Sequence, residues 1–397
     1  MREVMAELLT WCRAGDSVAM ATVVDTWRSA PRQAGASMLV GPDGAAVGSV
    51  SGGCVEGAVY TLGQEVLADG VPVLTRYGVS DDDAFAVGLT CGGVLDVFVE
   101  RVSTESFPEL EAVSGDIEAG RPVAVATVIE HPDEAWVGRR LVVRPDTSAS
   151  SGSLGSSRAD DAVADDTRGL LAAGRTATLE YGPDGERRGM GMRVFVASHA
   201  PKPRMLVFGA IDFAAAVATM GAFLGYHVTV CDARPVFATT ARFAAADEVV
   251  VQWPHRYLGA EIAAGRVDAR TVICVLTHDP KFDVPVLEMA LTGPPVAYIG
   301  AMGSRRTHDD RMDRLREIGL EPAHLARLSS PIGLDLGART PQETAVSIAS
   351  EIVAVRWGGQ GEPLSDTSGP IHHDAGDAER TEWGPTQPRR EIEPGQA

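Results

Sequence analysis

Two cysteines stand on glycine-rich turns, where a thiol is well placed to do chemistry. Cys54 lies in the string SGGCVE at 51–56, and Cys91 opens the string CGG at 91–93. Exposed backbone amides on such turns can lower the pKa of a thiol or help to hold an anion. The opposing interpretation is that both thiols are small buried hydrophobic groups. A comparison within the chain bears on this choice.

The sequence resembles itself once along its first half. The string GDSVAMATVVD at 15–25 resembles GRPVAVATVIE at 120–130. Further matches follow at a slowly drifting offset, which predicts two related α+β units at 1–101 and 106–200. The alternative is chance similarity between valine-rich strands.

Neither thiol has a cysteine counterpart in the second repeat. The string VFV at 97–99 and 194–196 sets an offset that places Arg188 opposite Cys91, and no cysteine stands opposite Cys54. The repeated fold can therefore be built without either thiol. This difference favours a functional role for both.

The character of the sequence changes after residue 203. Uniformly apolar, strand-like segments alternate with helical ones, a pattern typical of a parallel sheet covered by helices on both faces. A Rossmann-like, doubly wound domain is therefore predicted over 203–357. Its last helix is expected to begin at Thr340, which forms a capping box with Glu343, and to end near Trp357. The predicted fold class is α/β, with two duplicated α+β units ahead of the parallel sheet.

The first strand-to-helix turn of this domain partly resembles a dinucleotide-binding turn. Such turns follow the pattern G-x-G-x-x-G, whose second glycine admits a pyrophosphate at the helix start. Gly209 matches, but Ile211 replaces the second glycine and Asp212 puts a carboxylate where the anion would sit. Asp212 can instead favour the positive end of the helix. Asp232 ends the next strand, where an acidic residue would hold a ribose, so Gly209 and Asp232 are candidate cofactor-binding residues.

A second turn of this kind carries basic residues. Gly303, Ser304, Arg305 and Arg306 follow a strand and open a helix. Helix-start amides and guanidinium groups together suit a phosphate or another oxyanion. The alternative is an ordinary helix start with solvated basic residues. Ligands of open α/β sheets bind at the carboxyl ends of strands, which favours the functional interpretation.

Two more loops follow predicted strands. His278 and Asp279, with Asp283 nearby, either do acid–base work or form a capped turn. Asp335 lies in the apolar loop PIGLDLG at 331–337 and is expected to be buried. His278, Asp279 and Asp335 complete the set of candidate cofactor-binding residues.

Composition excludes several classes of protein. A net charge of −19 and an isoelectric point near 4.9 argue against a binder of nucleic acid or of anionic membranes. The five cysteines lack metal-ligand spacing, which favours reduced thiols and a cytoplasmic location. The longest uncharged run, 213–230, is broken by glycines and is interpreted as a helix and a strand, not a membrane span.

Two segments lack clear periodicity. The Ser/Gly/Asp-rich stretch 147–169 is predicted to be a flexible loop of the second unit. The proline-rich, acidic stretch 358–397 is predicted to be a disordered tail. His372 and His373 lie in that tail, where a metal role is disfavoured.

Together these motifs resemble the xanthine dehydrogenase accessory proteins, the XdhC/CoxI family. The resemblance covers about 11–101 and 203–357. Six strings carry it in order: SAPR at 29–32 with Gly35, SGGCVE at 51–56, CGG at 91–93, THD at 277–279, YIG…GSRR at 298–306 and PIGLDLG…TP at 331–341. One departure is the turn at Gly209, which in the family usually reads Gly-Ala-Gly-His.

The resemblance implies an accessory protein that does not itself catalyse hydroxylation. Members bind molybdenum cofactor, permit its sulfuration by a cysteine desulfurase, and deliver it to a molybdenum hydroxylase such as xanthine or carbon monoxide dehydrogenase. On that basis Cys54 or Cys91 would lie near the molybdenum, and the 303–306 loop would hold the pterin phosphate. We expect one cleft between the first unit and the Rossmann-like domain, with the thiols on one wall and that loop on the other.

Two other functions remain open at this point. The first is an NAD-dependent oxidoreductase that uses Asp232 for the ribose and His278 as acid or base. The missing second glycine and Asp212 count against it. The second is a scaffold that binds a hydroxylase or a desulfurase without any cofactor. A homodimer is plausible in each case.

Overall fold

The first unit is a five-stranded antiparallel sheet with a helix on one face. Its elements are α1 (Met5–Arg13), β1 (Val18–Trp27), β2 (Ser37–Val40), β3 (Ala46–Gly48), α2 (Glu56–Asp69), β4 (Val73–Tyr77) and β5 (Val94–Val102). The strand order is β3-β2-β1-β5-β4. Alternate residues of β1 and β5 pack under α2, because Ala and Val side chains on that face meet the apolar side of the helix. This computed structural model describes residues 1–27, 32–78, 93–145 and 150–368.

The second unit repeats this plan. After α3 (Leu110–Glu118), its elements are β6 (Val123–Glu130), β7 (Arg140–Val143), β8 (Ser151–Gly152), α4 (Ser157–Ala173), β9 (Ala177–Tyr181) and β10 (Met192–His199). The strand order is β8-β7-β6-β10-β9, which is the order of the first unit. Two such units are therefore confirmed, and chance similarity of valine-rich strands is the wrong explanation.

The predicted flexible loop at 147–169 is wrong for most of its length. Residues 157–169 belong to α4, which begins where the Ser156 hydroxyl accepts a hydrogen bond from the N–H of Ala159. Small and apolar residues at helical spacing are buried on one face of α4, among them Val163 and Leu171. Because most residues of this segment are polar, its composition does not reveal the narrow apolar stripe on the buried face of α4. Residues 147–149 lie outside the described residues.

The last third of the chain forms the predicted Rossmann-like domain. Its six parallel strands are β11 (Arg204–Phe208), β12 (His227–Asp232), β13 (Glu248–Val251), β14 (Val272–Val275), β15 (Tyr298–Ala301) and β16 (Leu328–Ser329), in the order β13-β12-β11-β14-β15-β16. Its helices are α5 (Asp212–Phe223), α6 (Pro254–Ala263), α7 (Pro280–Thr292), α8 (Arg305–Glu317), α9 (Pro322–Leu325) and α10 (Pro341–Trp357).

Both faces of this sheet are covered, as the uniformly apolar strands predict. Met205 and Val207 of β11 point into the core under α5 and α10, while Leu206 and Phe208 point into the core under α6 and α7. Side chains of a strand alternate between the two faces, so a strand buried on both must be apolar throughout.

The final helix is capped as predicted, and the structure describes only the beginning of the segment that follows it. Thr340 and Glu343 form the predicted capping box, and Gly358 ends α10 in the left-handed conformation. Short 3-10 turns occur elsewhere, at Arg2–Val4, Glu134–Trp136 and Leu364–Asp366. The tail from 369 lies outside the described residues, so its predicted disorder and the histidines at 372 and 373 remain predictions.

Candidate functional site

Four loops meet at one edge of the parallel sheet. They follow β11, β12, β14 and β15, and we call this edge, where the strands end, the carboxyl edge. Strands β12 and β13 lie on one side of β11, whereas β14, β15 and β16 lie on its other side, so the strand order reverses between β11 and β14. Such a switch point leaves a crevice that binds ligands in open α/β sheets. The loops here carry Gly209, Asp232, His278 and the 303–306 turn.

The turn at Gly209 passes very close to its neighbour across the crevice. Gly209 has a φ of 116°, and its N–H donates to the carbonyl of Cys231 over 2.9 Å. A Cβ at this position would lie 2.9 Å from Cγ2 and 3.0 Å from N of Thr277. Glycine is therefore required here by both conformation and space.

We expect Gly209→Ala to lower the free energy of unfolding by about 3 kcal/mol, through left-handed strain and crowding together. The matched control is Gly225→Ala, where φ is 83° but nothing lies within 4 Å of the added Cβ. The control keeps only the conformational strain, about 1 kcal/mol. Urea unfolding measures both values, and equal losses would contradict the close approach.

Asp232 is saturated by protein donors. Its carboxylate accepts from the N–H of Ala210 at 2.7 Å and from Nε and Nη2 of Arg234 at 2.9 and 2.8 Å. Burial favours the neutral acid, but these hydrogen bonds outweigh burial and lower the pKa of Asp232. A ribose hydroxyl would have to displace a bidentate guanidinium group. This geometry argues against the dinucleotide alternative.

The helix start beyond Gly209 is also occupied. Asp212 begins α5 without capping it, and its carboxylate lies 3.0 Å from Nη2 of Arg242. The same guanidinium group donates to the carbonyl of Ala210. An ion pair therefore fills the position at which a dinucleotide phosphate would meet helix-start amides.

The start of α8 is open by comparison. The Ser304 hydroxyl caps the helix by accepting from the N–H of Thr307 over 3.2 Å. The side chains of Arg305 and Arg306 are exposed, and within the described part of the chain neither forms a hydrogen bond or an ion pair. The helix start and two exposed guanidinium groups thus lie together at the carboxyl edge. This is the best anion site among the predicted residues.

A buried ion pair fixes this turn against the loop after β14. Nη2 of Arg311, on α8, lies 3.1 Å from Asp283 of α7 and donates to the carbonyl of Met302 over 2.7 Å. The Thr277 hydroxyl donates to the same carboxylate. Burial raises the pKa of Asp283 to about 6, although Arg311 acts in the opposite direction.

Arg311 was not found by sequence reasoning. A helix rich in Arg and Asp gives little hint of which arginine is buried. The available signal is spacing, since Arg311 lies one helical turn before the buried Leu315 and shares its inward face. The sequence places Asp283 near His278, but the partner of its carboxylate is Arg311.

The His278 turn has the structure of a capped helix start. Asp279 accepts from the N–H of Lys281 over 3.1 Å, and its carboxylate pairs with the Lys281 ammonium at 2.8 Å. Hydrogen bonds from Lys281 lower the pKa of Asp279. His278 is exposed beside it. The geometry favours the capped turn and leaves His278 as an accessible imidazole at the carboxyl edge.

Asp335 is exposed, so its predicted burial is wrong. The loop is anchored by other residues: Ile332 packs against Gly300, and the N–H of Gly333 donates to Glu351 over 2.6 Å. These anchors hold the beginning of the loop, and residues 335–337 extend into solvent. The apolar composition of the string reflects the anchors, not the aspartate.

Cys54 lies on a loop that is wrapped around one carboxylate. Glu56 accepts hydrogen bonds from the backbone N–H groups of residues 50–53 and from the hydroxyls of Ser49 and Ser51. Burial would raise the pKa of Glu56, but these hydrogen bonds lower it to about 2. The Cys54 thiol is half-buried and not in a disulfide. Cys91 lies outside the described residues.

The second unit keeps a reduced version of this loop. Asp160 accepts from the Ser153 hydroxyl at 2.7 Å and from the N–H of Leu154. Gly48 of β3 and Gly152 of β8 occupy the same place in the two sheets. Counting forward equally from each glycine places Arg158 opposite Cys54. The carboxylate thus belongs to the shared fold, whereas the thiol belongs to the first unit alone.

Glu56→Ala is expected to release residues 50–53, because four backbone N–H groups lose their acceptor. Amide hydrogen exchange of this loop should rise markedly in the variant, and Asp160→Ala should leave it unchanged. In the native protein the contribution of Glu56 is present above its ordinary pKa of 4.5 and is lost as pH falls towards 2. Unchanged exchange in Glu56→Ala would contradict this arrangement.

The structure does not bring the thiol loop and the 303–306 turn into one cleft. A cavity does separate the two small units from the Rossmann-like domain, but neither Cys54 nor residues 303–306 line it. The domain contributes Lys202, Pro203, Gly225 and Arg270, which lie where its strands begin. We call this the amino edge, about 16 Å from the carboxyl edge along a five-residue strand. Cys54 and the 303–306 turn therefore do not share this cavity, as the predicted single cleft requires, and the Cys91 wall of that cleft lies outside the described residues.

The described part of the chain contains neither a metal-binding cluster nor a membrane-spanning helix. No group of three or more His, Cys, Asp and Glu side chains there is arranged to hold a metal ion. No helix there is long and apolar enough to cross a membrane.

Comparison with known proteins assigns the family. Residues 205–352 match the XdhC Rossmann domain, and the XdhC and CoxI family model matches 11–78 and 116–182, one stretch in each small unit. The chain is 30% identical over 345 residues to a probable xanthine dehydrogenase subunit of Bacillus subtilis (strain 168), covering 86% of this chain and 94% of that protein. The chain belongs to the XdhC and CoxI family.

Two further relatives of this XdhC/CoxI protein are informative. The molybdenum cofactor insertion chaperone PaoD of Escherichia coli (strain K12) is 26% identical over 343 residues, covering 86% of this chain and 85% of that protein. A crystal structure of a xanthine dehydrogenase from Bacillus halodurans superposes with a TM-score of 0.62 at 24% identity, covering 91% of this chain and 97% of that one. The likeness to the Bacillus halodurans structure supports the fold alone.

Proposed function

We propose that this protein is an accessory factor that binds molybdenum cofactor and delivers it to a molybdenum hydroxylase. The observation that carries the proposal is the similarity to PaoD, which extends over 85% of that chaperone. The cofactor is cargo here, not a resident group. The described residues supply an anion site and an accessible thiol, the two kinds of group that this cargo would need.

The pterin phosphate is proposed to bind at the start of α8. N–H groups of the first turn and the guanidinium groups of Arg305 and Arg306 offer charge-assisted hydrogen bonds to its oxygens. The buried pair of Arg311 and Asp283 holds this turn in place from below. The alternative phosphate position, near Gly209, is disfavoured by the ion pair of Asp212.

Cys54 is proposed to approach the molybdenum, with Cys91 as a second thiol predicted from sequence. Sulfur ligands suit this metal, and a half-exposed thiol can reach a bound guest. Since neither Cys54 nor residues 303–306 line the cavity between the small units and the Rossmann-like domain, a second copy is the partner we propose to bring them together. A cysteine desulfurase is proposed as the source of the sulfur during sulfuration.

Transfer to an enzyme tests this function. Purified protein loaded with the cofactor under anoxic conditions should restore activity to an apo-molybdenum hydroxylase faster than free cofactor does. The Arg305→Gln/Arg306→Gln variant should give no acceleration. If loaded native protein restores activity no faster than free cofactor, delivery is not the function.

A further inference from the structure

The cavity at the amino edge is built on the internal repeat. It has a volume of about 640 Å³ and lies between the two small sheets and the Rossmann-like domain. Thr22 and Phe98 of the first unit line it, together with their repeat counterparts Thr127 and Phe195 of the second. The volume falls in the range of pockets that hold cofactor-sized ligands. Nothing in the proposed delivery of molybdenum cofactor uses this cavity.

The inner wall is largely apolar. Phe98 and Phe195 are almost fully buried, and the buried ion pair of Arg140 and Glu100 adds no net charge. Cζ of Arg140 lies 4.9 Å from the ring centre of Phe107. These surfaces would accept a flat, apolar ring.

The mouth of the cavity is basic. The lining includes Lys202, Arg270 and Arg356 from the Rossmann-like domain, all more exposed than the wall. Arg270 pairs with Asp268, and Glu3 of the lining pairs with Arg32, so Lys202 and Arg356 are the cations of the opening without an ion pair among the described residues. In a chain of net charge −19, this opening still carries a local positive charge. It would attract an anion to the mouth.

Two polar atoms in the lining are buried without hydrogen-bond partners among the described residues. They are Oγ of Ser198 and Nε of Arg270. Arg270 is otherwise fixed, because its Nη1 donates to the carbonyl of Pro201 at 3.1 Å and its Nη2 to Asp268 at 2.9 Å. The guanidinium group of Arg270 is therefore held in place at the cavity by Pro201 and Asp268.

We propose that this cavity binds an aromatic or heterocyclic organic anion, with its ring between the two small sheets and its carboxylate or phosphate against Lys202 and Arg270. The guest would touch both small units and the Rossmann-like domain at once. It would lie at the opposite edge of the parallel sheet from the anion site of α8. Its binding would therefore be independent of the residues proposed to hold molybdenum cofactor.

The two lysines of the chain provide the test. Pyridoxal 5′-phosphate combines a flat ring with a phosphate, forms imines with lysine amines, and is fixed there by borohydride. Lys202 lies at the cavity mouth, and Lys281, whose ammonium pairs with Asp279, lies at the carboxyl edge. Both are compared in the Arg305→Gln/Arg306→Gln variant, which lacks the phosphate site proposed at α8, so Lys281 serves there as an internal control. Peptide mass spectrometry after brief exposure gives both extents of modification in one sample.

We expect Lys202 to be modified about tenfold faster than Lys281, which corresponds to one charge-assisted contact with the phosphate. The preference should largely disappear with pyridoxal, which lacks the phosphate, and in Arg270→Gln. An equal preference with both reagents would overturn the proposal, because intrinsic lysine reactivity would explain it. So would an unchanged preference in Arg270→Gln.

A second variant tests the ring-binding wall separately. Ala197 lies on β10 in the wall, and Ala197→Leu would reduce the volume available to a ring. The preference of pyridoxal phosphate for Lys202 should fall several-fold, while the modification of Lys281 stays the same. Circular dichroism shows whether the variant is folded. A folded variant with full preference for Lys202 would contradict binding between the sheets.

Discussion

Replacing Arg305 and Arg306 together by glutamine is expected to reduce retention of molybdenum cofactor at least tenfold. Each guanidinium group would supply a charge-assisted hydrogen bond to the phosphate, worth about 1.5–3 kcal/mol. Both side chains are exposed and make no ion pair among the described residues, so their removal should leave the fold unchanged. Retention is measured by molybdenum content and pterin fluorescence after anoxic gel filtration.

The matched control lies on the same helix. Arg314 and Arg316 are exposed in the last turn of α8, where they carry the same charge but lie at the opposite end of the helix from its open start. The Arg314→Gln/Arg316→Gln variant should retain the cofactor as the native protein does. Equal loss in both double variants would show that overall charge, and not the start of α8, controls retention.

Arg311→Met is expected to cause the largest loss of stability. It leaves the Asp283 carboxylate buried without its counter-ion, which lowers the free energy of unfolding by about 3–5 kcal/mol near neutral pH. Both side chains are almost inaccessible to solvent, so water cannot replace the guanidinium group. Urea unfolding measures the loss.

The pH dependence of this loss identifies its cause. The folded-state pKa of Asp283 is raised from 3.8 to about 6, so the stability that this raised pKa contributes is present below pH 3.8 and is lost as pH rises through 6. Without Arg311 the pKa should rise further. The difference between Arg311→Met and the native protein should therefore be smaller at pH 5 than at pH 8.

A double variant separates charge from packing. In Arg311→Met/Asp283→Leu no buried charge remains, and much of the lost stability should return. A loss that is the same at pH 5 and pH 8, or that the second substitution does not relieve, would assign the effect to packing alone.

The fold was largely predictable because its signals are local. Uniformly apolar segments such as the strand ending at Phe208 can only be central strands, and a repeat in sequence becomes a repeat in topology. The carboxyl-edge rule then placed Gly209, Asp232 and the 303–306 turn on one side of the sheet. No knowledge of side-chain packing was needed for that step.

Other features depend on tertiary contacts that no local pattern contains. The partner of Asp283 is Arg311, 28 residues further on, and only the packing of α7 against α8 brings them together. The apolar neighbours of Asp335 predict its burial, but the contact that anchors this loop is made by Ile332. The position of the small units at the amino edge depends on the connection near residue 203, and no local pattern predicts that Cys54 and the 303–306 turn do not share the cavity between the units.

Calorimetric binding of NAD tests the dinucleotide alternative. Both oxygens of Asp232 are already bonded to Ala210 and Arg234, so weak or absent binding of NAD is expected by calorimetry. Tight binding that is lost in Asp232→Ala would revive an oxidoreductase. A hydroxylase captured equally well with and without molybdenum cofactor would instead favour a scaffold.

Anoxic retention of freshly released molybdenum cofactor by the native protein tests the central claim most directly. Molybdenum and pterin fluorescence are measured in the protein peak after gel filtration. The account predicts that both elute with the protein, in a constant ratio to each other. A protein peak free of both, from a folded sample exposed to excess cofactor, would contradict it.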